Sequence, residues 1–158
     1  MKIKIIQTIL ITAVCTVFTG CAIMQPLPTP TGKPEVTINT TDTARIKGAL
    51  VSVLAANGYT LAQDTPYSLV FSRQMQGGGA ILYQAALGNS YSSTPQQNIS
   101  FTFAPAGGAT HVFGHMNTSM QNAFGQTQQT DMDYGRAAHQ IQDLLLQVKA
   151  GAESRGHR

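Results

Sequence analysis

Two histidines four residues apart, His111 and His115, are the first side chains here whose types and spacing could do chemistry together. On a helix that spacing chelates zinc. From Thr110 to about Met120, however, apolar or small residues alternate with others, which is the period of a strand. On a strand the two imidazoles share a face but stand about 13 Å apart, too far to hold one ion. His139 and Asp143 also lie four apart, in a helical stretch, but they lack a third ligand, and His157 belongs to a polar tail. The residues therefore predict no metal site and no cofactor.

Catalytic patterns are equally sparse. The serines form no Gly-x-Ser-x-Gly elbow. Asp64, Asp131, Asp133 and Asp143 fall at turns or helix starts, where capping accounts for them. Gly77-Gly78-Gly79 is followed by neither Lys-Ser nor Lys-Thr, so it reads as a hinge rather than a phosphate loop. Binding suits this chain better than catalysis. Phe113 lies between the two histidines, and Phe124 is an aromatic in a polar turn; exposed aromatics anchor interfaces. His111, Phe113, His115 and Phe124 are therefore the candidate partner-binding residues. The alternatives are cover of Phe113 by an Ala80–Leu87 helix, the commoner fate of a phenylalanine, and folding of Phe124 onto the sheet edge.

The elements that must position these residues follow from periodicity. Val36-Thr37-Ile38 reads as a first strand. Thr41 or Asp42 caps a helix to about Asn57, whose apolar stripe is Ile46, Leu50, Val53 and Leu54, and Gly58 stops it. Strands at Tyr59–Gln63 and Tyr67–Arg73 are joined through Asp64-Thr65-Pro66. Residues 77–97 form an insertion with a short helix, Ala80–Leu87, which could cover the Phe113 row. Ile99, Phe101 and Phe103 mark a half-buried strand, and Pro105-Ala106-Gly107-Gly108 turns it into the strand of the histidines. A turn near Asn122–Gly125 leads to a last strand ending about Thr130. Asp131 or Asp133 then caps a helix from Tyr134 to about Ala150, with Tyr134, Ala138, Ile141, Leu144, Leu145 and Val148 on its apolar stripe.

The predicted fold is thus α+β: a two-layer sandwich in which two amphipathic helices cover one face of an antiparallel sheet, in the order β-α-β-β-insertion-β-β-β-α. That order resembles the two-layer domains of accessory lipoproteins of the outer-membrane barrel assembly machinery, over about residues 35–150 and in element order alone.

The amino terminus carries an address. Lys2 and Lys4 precede an apolar run from Ile5 to Phe18, too short to span a bilayer stably, and the order matches a secretory signal peptide. Phe18-Thr19-Gly20-Cys21 resembles the lipobox of bacterial lipoproteins. The resemblance implies cleavage after Gly20, diacylglycerol on the Cys21 thiol and an N-acyl chain such as palmitate on the new amino terminus. Ala22, in place of an Asp that would retain such a protein at the inner membrane, implies outer-membrane sorting with the domain facing the periplasm. The expected organisation is signal peptide 1–20, lipidated Pro-rich tether 21–34, one domain over 35–150 and a flexible tail 151–158. Read as extended chain, the tether would hold the domain up to about 40 Å from the lipid.

Without residues 1–20 the chain has eight Lys and Arg against seven Asp and Glu, and these are scattered. Nucleic acid is not an expected partner, because nothing forms a basic face. Cys21 is then the sole cysteine, so no intrachain disulfide forms and a hydrophobic core must supply stability. The function these features predict is a lipid-anchored, non-enzymatic interaction module in outer-membrane or secretion-apparatus assembly, with an envelope protein as partner. The alternative is a periplasmic ligand-binding domain or an inhibitor of peptidoglycan hydrolases.

Overall fold

A computed structural model describes residues 26–87, 92–122 and 124–154. The signal peptide, Cys21, the Gly88-Asn89 helix stop and the end of the tail from residue 155, with His157, lie outside the described residues. In chain order the elements are β1 (Glu35–Ile38), α1 (Thr43–Ala56), β2 (Thr60–Thr65), β3 (Ser68–Gln74), α2 (Gly78–Leu87), β4 (Gln96–Ala106), β5 (Ala109–Gln121), β6 (Thr127–Asp131) and α3 (Gly135–Ser154). The six strands make one open antiparallel sheet in the order β1-β5-β4-β3-β2. β6 pairs with the far half of β5, so β1 and β6 follow one another along the same side of that strand. This is the expected α+β sandwich.

Alternation along the strands decides which face is buried. Val36 and Ile38, Leu69 and Phe71, Ile99, Phe101 and Phe103, and Val112 and Met116 all point to one side. There they meet Ile46, Leu50 and Leu54 of α1 and Ile141, Leu145 and Val148 of α3 in a single core. Asp42 caps α1 by accepting the Arg45 N–H at 2.9 Å, and Gly58 follows the helix with φ +78°. Close approach of α3 to the sheet depends on Gly114: a Cβ there would lie 2.5 Å from Ile141 Cγ2.

Several boundaries differ from expectation, each for a physical reason. β2 continues through Thr65, and the turn falls on Pro66-Tyr67. β4 runs on to Ala106, because Gly107 and Gly108 alone take the two positive φ values, +59° and +85°, that a two-residue hairpin turn requires. Gly78 and Gly79 enter α2, leaving positive φ in the triplet to Gly77. Tyr134 continues the numerical spacing of the stripe but precedes the first turn of α3, where Gly135 takes φ +68°, and is 65% exposed. The helix extends past Ala150 to Ser154 because Ala152, 3% exposed, continues the Ala138, Ile141, Leu145, Val148 spacing; residues 151–154 are not a loose tail. Residues 26–34 are not extended either. Thr29–Gly32 make a turn, Leu27 and Pro34 are buried, and the Pro34 carbonyl accepts the Gly114 N–H at 2.8 Å. Burying two apolar side chains and satisfying a β5 amide outweigh extension.

Candidate functional site

β5 is the interior strand that presents the candidate residues. β4 pairs with it from Ala109 to Ser119 on one side, and β1 and β6 share the other. Its odd-numbered side chains therefore stand on a stiff surface, on the sheet face opposite the helices. His111 and Phe113 stack there, ring centroids 6.2 Å apart and planes 21° from parallel. Thr37 Oγ1 lies 3.2 Å from the His111 ring nitrogens. Phe113 keeps 36% of its surface exposed, so the α2 helix does not bury it; the apolar side chains Ile81 and Leu82 of α2 stand in solvent themselves, at 69% and 73% exposed.

His115 has a different environment. Its Nδ1 sits 2.7 Å from Asp133 Oδ2, and its Nε2 faces Asp131 Oδ1 at 3.6 Å. The Asp133 side chain is only 4% exposed. Its other oxygen accepts the Met116 N–H at 3.1 Å, and Lys33 Nζ approaches Oδ2 at 3.4 Å. Burial pushes the Asp133 carboxyl upward, but the Met116 amide, His115 and Lys33 together outweigh it and hold the group below the usual carboxylate range. The capping role expected of Asp133 is corrected by this geometry. Between the end of β6 and the start of β1, no strand carbonyl reaches the Met116 amide, and the carboxylate fills that gap.

Ser100 stands across the ladder from His115, but no hydrogen bond joins them, and the imidazole is directed to its two carboxylates. Through Asp133 the arrangement ties β5 to the turn before α3. Among the described residues, no group of three His, Cys, Asp or Glu is placed to hold a metal ion. Phe124 does not fold onto the sheet edge. It is 88% exposed at the tip of the β5–β6 hairpin, where Asn122 Oδ1 accepts the N–H groups of Phe124 and Gln126, both at 3.0 Å. The structure thus gathers His111, Phe113 and His115 on one open face and sets Phe124 apart from them at the hairpin tip.

Searches against protein-family models and curated proteins find no match to this chain.

A second site went unread in the sequence. Arg73 lies over the Tyr59 ring, 4.3 Å from its centroid, and donates to the Asn57 carbonyl and to Gln97 Oε1, each at 2.9 Å. The Tyr59 hydroxyl donates to the same Gln97 oxygen at 2.6 Å. Burial raises the Tyr59 pKa, partly offset by the neighbouring guanidinium. This cluster stands at a cleft of about 480 Å³ between α1, α3 and the sheet, floored by Leu54, Ile99, Met116 and Ile141. Its members span residues 57 to 97, so no local motif marks them; the one hint is Arg73 at the end of an otherwise uncharged strand.

Proposed function

We propose that this chain is a lipid-anchored envelope protein of the outer membrane, facing the periplasm. There it acts as a non-enzymatic interaction module in outer-membrane or secretion-apparatus assembly. The observation that carries the reading is Phe113, stacked on His111 and half open on a sheet face that neither long helix covers. Across the ladders from it stand Thr102 and Glu35, whose carboxylate accepts from the Thr31 N–H and hydroxyl. Thr37 lies beside His111, and Asn98, Asn117 and Ser119 continue the same face farther along. These are polar groups able to satisfy hydrogen bonds while the rings bury apolar area. The fitting partner is an envelope protein with a polar, partly apolar surface. Anchoring rests on Thr19-Gly20-Cys21 after the apolar run, through diacylglycerol and N-acyl chains on Cys21. No described helix is long and apolar enough to cross a membrane.

The test is capture of envelope proteins by the detergent-solubilised chain, compared with Phe113→Ser. Loss of a specific partner with an unchanged thermal midpoint supports the reading. Equal capture by both proteins removes the sheet face from it. The cleft beside Arg73 and Tyr59 favours a second reading, a ligand-binding or hydrolase-inhibiting domain, because an apolar floor with convergent polar groups is how small-molecule sites are built. In that case Arg73→Gln abolishes binding or inhibition and Phe113→Ser does not.

A further inference from the structure

Among the described residues the sheet has three outer edges, β1, β2 and β6, and two of them are guarded. On β1 the Gln142 side chain of α3 acts as a surrogate strand: its Oε1 accepts the Glu35 N–H at 2.9 Å and its Nε2 donates to the Glu35 carbonyl at 3.1 Å. On β2 the ladder is interrupted between Leu61 and Gln63, an irregularity that breaks the edge. Bulges and lysines are devices that keep a sheet edge from pairing. β6 has neither. Its sequence, Thr127-Gln128-Gln129-Thr130-Asp131, holds no Lys, Arg or Pro, and all five residues are exposed.

The direction of its free backbone groups is fixed by the bonds that flank it. Met132 donates to the Met116 carbonyl and Asn122 to the Gln126 carbonyl. Hydrogen-bonded pairs recur every second residue, so Thr130 and Gln128 turn their backbone toward β5. The backbone groups of Thr127, Gln129 and Asp131 point outward.

We infer that β6 is the pairing edge of a symmetric dimer, in which it lies antiparallel to β6 of a second copy about a two-fold axis at Gln129. In this register Gln129 meets its own counterpart, and Thr127 meets Asp131 of the second copy. All three outward residues exchange both their hydrogen bonds. The two Asp131 carboxylates stay about 14 Å apart, whereas a register centred on Asp131 sets them face to face. Charge thus selects the register.

The aromatics agree with it. Phe124 and Tyr134, 88% and 65% exposed, lie five residues before and five after Gln129. Both lie beyond the ends of β6, Phe124 in the hairpin turn and Tyr134 just before α3, and the same two-fold axis sets the Phe124 end of one β6 against the Tyr134 end of the other. This gives a role to a tyrosine that precedes α3 and to a phenylalanine that covers nothing in its own chain. Directly opposed residues share a face, so both Phe113 rows end on the same side of one continuous sheet.

The experiment uses the full chain in detergent micelles, with protein mass separated from bound detergent by sedimentation velocity. The wild type should contain two chains per particle. Gln129→Lys and Gln129→Glu alone should each be monomeric, because like charges meet at the axis, and an equal mixture of the two should restore the dimer. Phe124→Ser or Tyr134→Ser should weaken association by about tenfold or more, since each removes an aromatic from both ends of the paired strands. Circular dichroism melts identify any variant that fails to fold, and the mixed sample reports pairing independently. A monomeric wild type, or a dimer indifferent to Gln129→Lys, overturns the inference; neither outcome touches partner capture through Phe113.

Discussion

Asp133 Oδ1 accepts the backbone N–H of Met116 at 3.1 Å, so one carboxylate from the turn before α3 completes the hydrogen bonding of an interior strand. The same side chain holds His115 and draws Lys33 toward it, joining three stretches of chain that are far apart in sequence.

Replacing Asp133 with Ala should therefore cost about 1–3 kcal/mol, the usual penalty of a buried amide left unpaired. Asp133→Asn should cost less, because its side-chain oxygen can still accept from Met116. Denaturant titration of the two variants separates them; equal losses would show that charge, not the amide bond, dominates.

The pH dependence follows from the sign of the Asp133 shift. Its folded carboxyl titrates lower than in the unfolded chain, so the unfolded state takes up protons first as pH falls. The stabilisation is fully present above the ordinary aspartate value of about 4 and is lost as pH falls through the folded value below it. Thermal midpoints should fall over that acidic window in the wild type. Asp133→Asn should flatten the drop, and an unchanged profile contradicts the assignment.

Gly114→Ala should be destabilising by about 1–3 kcal/mol, since the new methyl meets Ile141 Cγ2 and the core has to shift to admit it. Ile141→Leu moves the branch that clashes. The double variant should be more stable than the two single losses added together, and a double-mutant cycle measures that difference. Simple additivity would mean that the helix yields elsewhere.

Leu145, 0% exposed between Ile141 and Val148, should lose about 2–5 kcal/mol on truncation to Ala. Chemical denaturation checks this. A loss within about 0.5 kcal/mol would mark a surface position and break the two-layer packing.

What could be read from the chain was what local spacing records. Alternation at Ile99, Phe101 and Phe103 and through Val112 to Met120 marked both the strands and the face each side chain takes. The stripes of α1 and α3 marked their buried sides, Tyr134 excepted. Long-range polar contacts leave no such period. Lys33 and Asp133 lie 100 residues apart, and Glu35 and Gln142 lie 107 apart. Asp133 looked like a helix cap because aspartate before a helix usually is one, and only the gap between β1 and β6 gives it another task. Proline spacing suggested an extended leader, whereas the burial of Leu27 and Pro34 depends on surfaces made by distant parts of the chain.

That folded leader sets a standoff distance. With Pro26–Pro34 laid against the domain, five peptide links separate Cys21 from Pro26, a span of at most about 18 Å fully stretched. If acyl chains on Cys21 seat the protein in a bilayer, the domain rides close above the headgroups on a short leash instead of sweeping a wide arc. It would meet partners that rise from, or lie along, the same membrane surface.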